Sequence, residues 1–127
     1  MVNRDMRGAS ISKKGTLIPT RVVIVGVEKG DLRRGQEYFE RNFIIGRSAS
    51  CDIQINDPHV SSNHAEIVLE AGRWFVQDLQ STNGTFLNGV RISRIALPPR
   101  AALELARGGP TITLEVEQPP EAVKARV

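Results

Sequence analysis

From Arg21 onward the chain alternates short apolar stretches with turn residues, at intervals of about ten residues. Arg21-Val-Val-Ile-Val-Gly-Val27 is rich in β-branched residues and too short for a buried helix, so it reads as a strand. Tyr38-Phe39, Asn42 to Gly46 and Asp52 to Ile55 follow as strand candidates, the last alternating polar and apolar positions. Ala65 to Glu70 and Trp74 to Asp78 flank Ala71-Gly72, the pattern of a hairpin. Asn83-Gly84 and Asn88-Gly89 bracket Thr85-Phe86-Leu87, and because Asn-Gly favours turns with φ > 0 this is the densest turn signal in the chain. Thr111 to Val116 alternates cleanly and closes the series. One stretch departs from the pattern. Pro98 to Ala106 places good helix formers after a proline suited to a first helical turn. Leu103 and Leu105 still keep a strand's alternation, so Ala101 to Leu105 is assigned as a strand. The expectation is an all-β sandwich or barrel.

The length of 127 residues suits one domain, and 40% hydrophobic with 24% charged residues places it among globular chains. The net charge of +3 is unevenly placed. Residues 1–20 hold Arg4, Arg7, Lys13 and Lys14 against Asp5, while the rest of the chain carries thirteen basic and thirteen acidic residues. The basicity therefore belongs to a flexible N-terminal arm, residues 1–20, followed by a domain over 21–117 and a short tail, 118–127, marked by Pro119-Pro120. A neutral body argues against a nucleic-acid partner. No apolar run approaches the ~18 residues of a membrane span, and the first twenty residues lack a signal-peptide core. Cys51 is the single cysteine, which excludes an internal disulfide and a cysteine-only zinc site. These features lead to the expectation of a cytoplasmic protein with no membrane partner.

Four fragments carry candidate chemistry: Gly46-Arg47, Ser61-Ser62-Asn63-His64, Ser81-Thr82-Asn83-Gly84-Thr85 and Asn88-Gly89. Each follows or separates predicted strands, and loops of a sandwich gather at its ends, where they can share a site. A guanidinium, hydroxyls and a carboxamide are donors suited to an anion and to a peptide backbone. Ser61, His64 and Asp78 could suggest hydrolysis, but no nucleophile elbow or oxyanion signature accompanies them. His59, His64 and Cys51 fit no zinc spacing, so neither metal nor cofactor is expected. Asn83-Gly84-Thr85 matches a glycosylation sequon with no secretion signal to support it. Trp74, within a hairpin strand, reads as core.

In order and spacing, these fragments resemble the Gly-Arg, Ser-x-x-His and Asn-Gly signatures of the forkhead-associated (FHA) domain, over about Phe43 to Ile92. The resemblance implies a β-sandwich of about eleven strands with recognition loops at one apex, binding phosphothreonine peptides made by a serine/threonine kinase, without catalysis. It places Arg47 and Ser61 on the phosphate, with Ser62 in a slot where the family often has Arg, Lys or Asn. Thr82 and Asn83 would meet the peptide near its phosphothreonine, Asn83 holding the main chain. Gly46, His64 and Gly84 would brace the loops. The uncharged Ser62 keeps open a phosphate-independent scaffold role, with a hydrolase as the remote alternative. The chain departs from the family after Leu97, where Pro98-Pro99-Arg100-Ala101-Ala102 replaces the usual Gly-Asp turn. Ser10, Ser12, Thr16 and Thr20 also make the arm a kinase target, so a phosphorylated arm that folds back on the domain is a further expectation, with Thr16 the best placed.

Overall fold

The computed structural model describes residues 9–11 and 17–117. All the regular elements described are strands. A short antiparallel hairpin, β1 (Ala9–Ile11) and β2 (Leu17–Pro19), comes first. So the region read from sequence as an arm contains paired backbone over those six residues, while 1–8, 12–16 and the tail 118–127 lie outside the described residues. Twelve strands then form two six-stranded sheets: β3 (Arg21–Glu28), β4 (Leu32–Arg34), β5 (Tyr38–Phe39), β6 (Phe43–Gly46), β7 (Ile53–Ile55), β8 (Ala65–Glu70), β9 (Arg73–Asp78), β10 (Thr85–Leu87), β11 (Val90–Ile92), β12 (Arg94–Ala96), β13 (Arg100–Leu105) and β14 (Thr111–Glu117). The first sheet runs β11-β10-β13-β14-β3-β5 and the second β12-β9-β8-β6-β7-β4. Pairing is antiparallel except between β6 and β7.

The core follows from alternation. In β13 the pattern Arg100-Ala-Ala-Leu-Glu-Leu105 buries Ala101, Leu103 and Leu105, so the stretch with helix-forming composition is a strand because its apolar period is two. Phe43, Ile45, Ile53, Ile55 and Ile67 of the second sheet meet Leu103, Leu105, Ile112 and Leu114 of the first, and Phe39 stacks on Phe43 with centroids 4.0 Å apart. Trp74 is core as expected, and its indole N–H donates to the buried Thr20 hydroxyl at 3.1 Å. That bond ties the entry of β3 to the second sheet.

The turns sort the Asn-Gly signals by backbone geometry. Ala71-Gly72 and Asn88-Gly89 both place two successive residues at positive φ, 51° and 78° in the first and 49° and 89° in the second. These are the tight hairpin turns that Asn-Gly favours. At Asn83-Gly84 only Gly84 has positive φ, 90°, and the pair shapes a loop entering β10 rather than a hairpin.

Candidate functional site

Three connections meet where β6, β8, β9 and β10 begin or end: 47–52, 56–64 and 79–84. Backbone bonds lock the first to the second, from Arg47 N to Ser61 O (2.9 Å) and from Ser48 N to Ser62 O (3.1 Å). Gly46 permits this approach. A Cβ at that position would stand 2.2 Å from the Ser62 carbonyl oxygen and 2.9 Å from Cys51 Sγ, so no larger residue fits beside that backbone. The third loop is tied to the second by side chains. Thr82 N donates to Ser61 Oγ at 3.0 Å, and Asn83 Nδ2 donates to the His59 carbonyl at 2.9 Å.

His64 is the post around which the loops are set. It is fully buried immediately before β8. Its Nδ1 accepts from Ser61 N at 3.1 Å and its Nε2 lies 2.8 Å from the Gly84 carbonyl, which fixes the proton on Nε2. Both ring nitrogens are thus committed to backbone, leaving neither to activate a serine hydroxyl. Burial pushes the His64 pKa below its ordinary 6.5, against the opposing pull of the Gly84 carbonyl and the Asp78 charge. Asp78 braces the third loop: it accepts from Ser81 Oγ (2.5 Å), Ser81 N (3.1 Å) and Thr85 Oγ1 (2.6 Å), and Ser81 Oγ accepts in turn from Gly84 N (3.0 Å). Burial opposes the charge on Asp78. The bonds from Ser81 and Thr85, with the nearby His64, outweigh it and hold the carboxyl below its usual 3.8.

Both shifts act in one direction. Each folded pKa lies below its unfolded value, so each contribution to stability is present above the unfolded pKa and lost as pH falls. The unfolding temperature should stay level above pH ~6.5, decline below it as the unfolded chain takes up a proton that His64 refuses, and fall further below pH ~4 through Asp78. A His64→Gln variant should lose the first decline and keep the second. A first decline of equal size in that variant would exclude His64 as its source.

The polar groups left unpaired by this framework converge at the surface. Arg47 is exposed, and its Nε donates to the Val60 carbonyl at 2.8 Å, which aims the guanidinium and leaves its two terminal nitrogens without a partner among the described residues. Ser61 Oγ accepts from Thr82 N and keeps its own proton to donate outward. Ser62, Thr82 and Asn83 are exposed, and Asn83 Oδ1 remains free to accept among the described residues. The five residues named from sequence as peptide-contacting therefore share one surface, with Gly46, His64 and Gly84 beneath it. Among the described residues no three His, Cys, Asp or Glu side chains gather to hold a metal. Asp78, Ser81 and the carbonyls of His59 and Val60 were not singled out by the sequence as parts of the framework. Asp78 and Ser81 carried a signal, since polar residues three apart before an Asn-Gly suggest a side-chain-capped loop. The two carbonyls carried none.

The model of the FHA domain family matches residues 43–106, half of the chain. The chain belongs to the FHA domain family. The FHA domain-containing protein FhaB of Mycobacterium tuberculosis is 32% identical over 60 residues, which is 47% of this chain and 39% of that protein, so the chain spans about two-fifths of this relative's length. The first FHA domain of M. tuberculosis Rv1747 superposes with a TM-score of 0.62 at 22% identity, over 78% of this chain and 97% of that one. A structure from work on phosphothreonine-dependent FHA domain interactions gives 0.55 at 25% identity, over 80% and 97%. The sandwich expected from sequence is thus the FHA fold, here with twelve strands in its two sheets.

Proposed function

We propose that this FHA domain binds threonine-phosphorylated proteins, the products of serine/threonine kinases, and catalyses no reaction itself. The observation that supports the reading most is the Arg47 guanidinium pinned to the Val60 carbonyl, its terminal nitrogens unpaired among the described residues, on a backbone bonded to that of Ser61, whose hydroxyl proton is free to donate. A phosphate monoester offers about −1.5 to −2 charge and three acceptor oxygens, which suits paired bonds from a planar guanidinium and one from a hydroxyl. Asn83, anchored through its amide nitrogen to the His59 carbonyl, has its oxygen ready to accept a peptide N–H. Thr82 and Ser62 complete the contact surface. The commitment of both His64 nitrogens to backbone argues against hydrolysis. The setting this reading implies is cytoplasmic, with no nucleic-acid or membrane partner and no cofactor.

A selection from peptide libraries with a fixed phosphothreonine, run beside matched libraries with threonine or phosphoserine, tests the proposal. Enrichment in the phosphothreonine pool alone is expected. Equal recovery from the unphosphorylated pool would favour the phosphate-independent scaffold, the reading that the uncharged Ser62 supports.

Ser62 is exposed, and its hydroxyl has no partner among the described residues. Ser62→Lys should place a second positive charge near the phosphate and tighten phosphopeptide binding about two- to five-fold, with a steeper loss in salt. An unchanged dissociation constant at low salt would show that position 62 faces away from the phosphate.

The arm adds a second ligand, in cis. Thr16 lies outside the described residues. Thr20 is buried and bonded to Trp74, so it is poorly placed for a kinase. A phosphorylated Thr16 tethered to its own domain would act at an effective concentration around millimolar. Stoichiometric phosphorylation of Thr16 should then block an external phosphopeptide, and deletion of residues 1–18 should remove the block. Undiminished binding by the phosphorylated protein would exclude self-inhibition.

A further inference from the structure

Phe86 faces outward from the first sheet. Its neighbours Thr85 and Leu87 lie opposite Leu105 and Leu103, and Leu87, Leu103 and Leu105 belong to the core, so Phe86 lies on the other face. It is nonetheless only 3% exposed. Part of its cover is arginine. The Arg107 guanidinium carbon sits 4.5 Å from the ring centroid, and Arg91 is the direct cross-strand partner of Phe86 in β11. The Arg91 guanidinium also lies against Gly84, its Nε and Cζ 3.0 and 3.1 Å from where a Cβ would stand. Gly84 therefore leaves room for a cation beside the Asn83 loop, and its carbonyl is the one that His64 holds.

Both arginines are exposed. Arg21, Arg33, Arg41, Arg94 and Arg100 each have a carboxylate partner, whereas Arg91 and Arg107, like Arg34, Arg47 and Arg73, have none among the described residues. Glu104, across from Phe86 in β13, accepts from the backbone N–H of Gly108 instead. Arg107 thus lies over the Phe86 ring and Arg91 beside Gly84, in the loop that carries Thr82 and Asn83, and neither guanidinium has a carboxylate partner among the described residues. A guanidinium on an aromatic face is held in orientation and keeps its N–H edge for an anion.

We propose that Arg91 and Arg107 form an accessory anion subsite that receives an Asp or Glu side chain of the bound phosphopeptide, and so sets a preference for acidic residues near the phosphothreonine. This rests on the phosphopeptide reading above and adds a determinant of partner choice to it. Charge complementarity names the occupant. Arg47 and Ser61 meet the phosphate, and a peptide continuing past the Asn83 loop toward β10 and β11 passes beside Arg91.

The test is a polarisation titration of the full chain with one phosphothreonine peptide whose flanking residues are alanine, and with a set in which a single Asp is walked through those flanks. At least one Asp position should tighten binding about two- to five-fold, the range of an exposed ion pair, and the gain should shrink as salt rises. The double variant Arg91→Gln/Arg107→Gln should lose that gain while binding the alanine-flanked phosphopeptide like wild type. Arg91→Lys/Arg107→Lys should retain most of it, which separates charge from packing over Phe86. A gain that persists in the Gln variant, or no gain at any position, overturns the subsite while leaving phosphate recognition intact. Failure of wild type to bind any of the phosphopeptides overturns the underlying reading, and the subsite with it.

Discussion

Arg47→Ala is expected to weaken binding of a threonine-phosphorylated peptide by on the order of 2–5 kcal/mol, which moves a micromolar ligand to a dissociation constant between tens of micromolar and a few millimolar. The size follows from losing a charge-assisted pair on a dianion whose other neighbours here are hydroxyls and amides. Stability should change little, because the side chain is exposed and gives up a single hydrogen bond among the described residues, to the Val60 carbonyl, worth about 0.5–1.5 kcal/mol. Arg47→Lys should recover only part of the affinity, since an ammonium keeps the charge without the planar fork. Titration calorimetry with one peptide across the three proteins checks the series. Full affinity in Arg47→Ala would remove Arg47 from the site.

His64→Ala should act through the fold. The substitution leaves a void at a fully buried position, orphans the Ser61 N–H, and removes one of the two donors on the Gly84 carbonyl, which keeps the Ala106 N–H at 3.0 Å. An unsatisfied buried group costs about 1–3 kcal/mol and the cavity adds to it, so the loss should be on the order of 3 kcal/mol. Phosphopeptide binding should fall with it, because Ser61 and the Asn83 loop lose their common support. The two effects can be told apart by temperature. Denaturant unfolding measures the stability loss directly, and binding measured in the cold, where the variant is folded, reports loop disorder alone. A variant with wild-type stability would show that the buried imidazole does not brace these loops.

The strands of this fold were legible where burial on one face wrote a period of two into the sequence, as in β8, β13 and β14. Composition alone misled at Arg100 to Ala106, whose residues favour helix; the alternation of Ala101, Leu103 and Leu105 carried the information. β4 and β12 were not legible. Leu32-Arg33-Arg34 is exposed throughout, and Arg94-Ile95-Ala96 is an edge strand with exposed Ile95, so neither shows a buried face. In the region read as an arm, the hairpin of β1 and β2 rests on backbone pairing that composition does not encode. The surface side chains of the site were visible because guanidinium, hydroxyl and amide at loop positions have few other reasons to cluster. Its framework was less visible. The Val60 and His59 carbonyls that orient Arg47 and Asn83 belong to residues whose side chains take no part, and Arg91 reaches the loop only because the β10–β11 register places it opposite Phe86.

The central claim, that Arg47, Ser61, Ser62, Thr82 and Asn83 form a phosphate-dependent peptide site, meets its most direct test in one titration. The full chain is titrated with a peptide taken from the phosphothreonine selection and with the same peptide unphosphorylated, at fixed ionic strength. The account predicts saturable one-to-one binding of the phosphorylated peptide and a loss of at least about 2 kcal/mol when the phosphate is removed. Equal affinity for the two forms would contradict it.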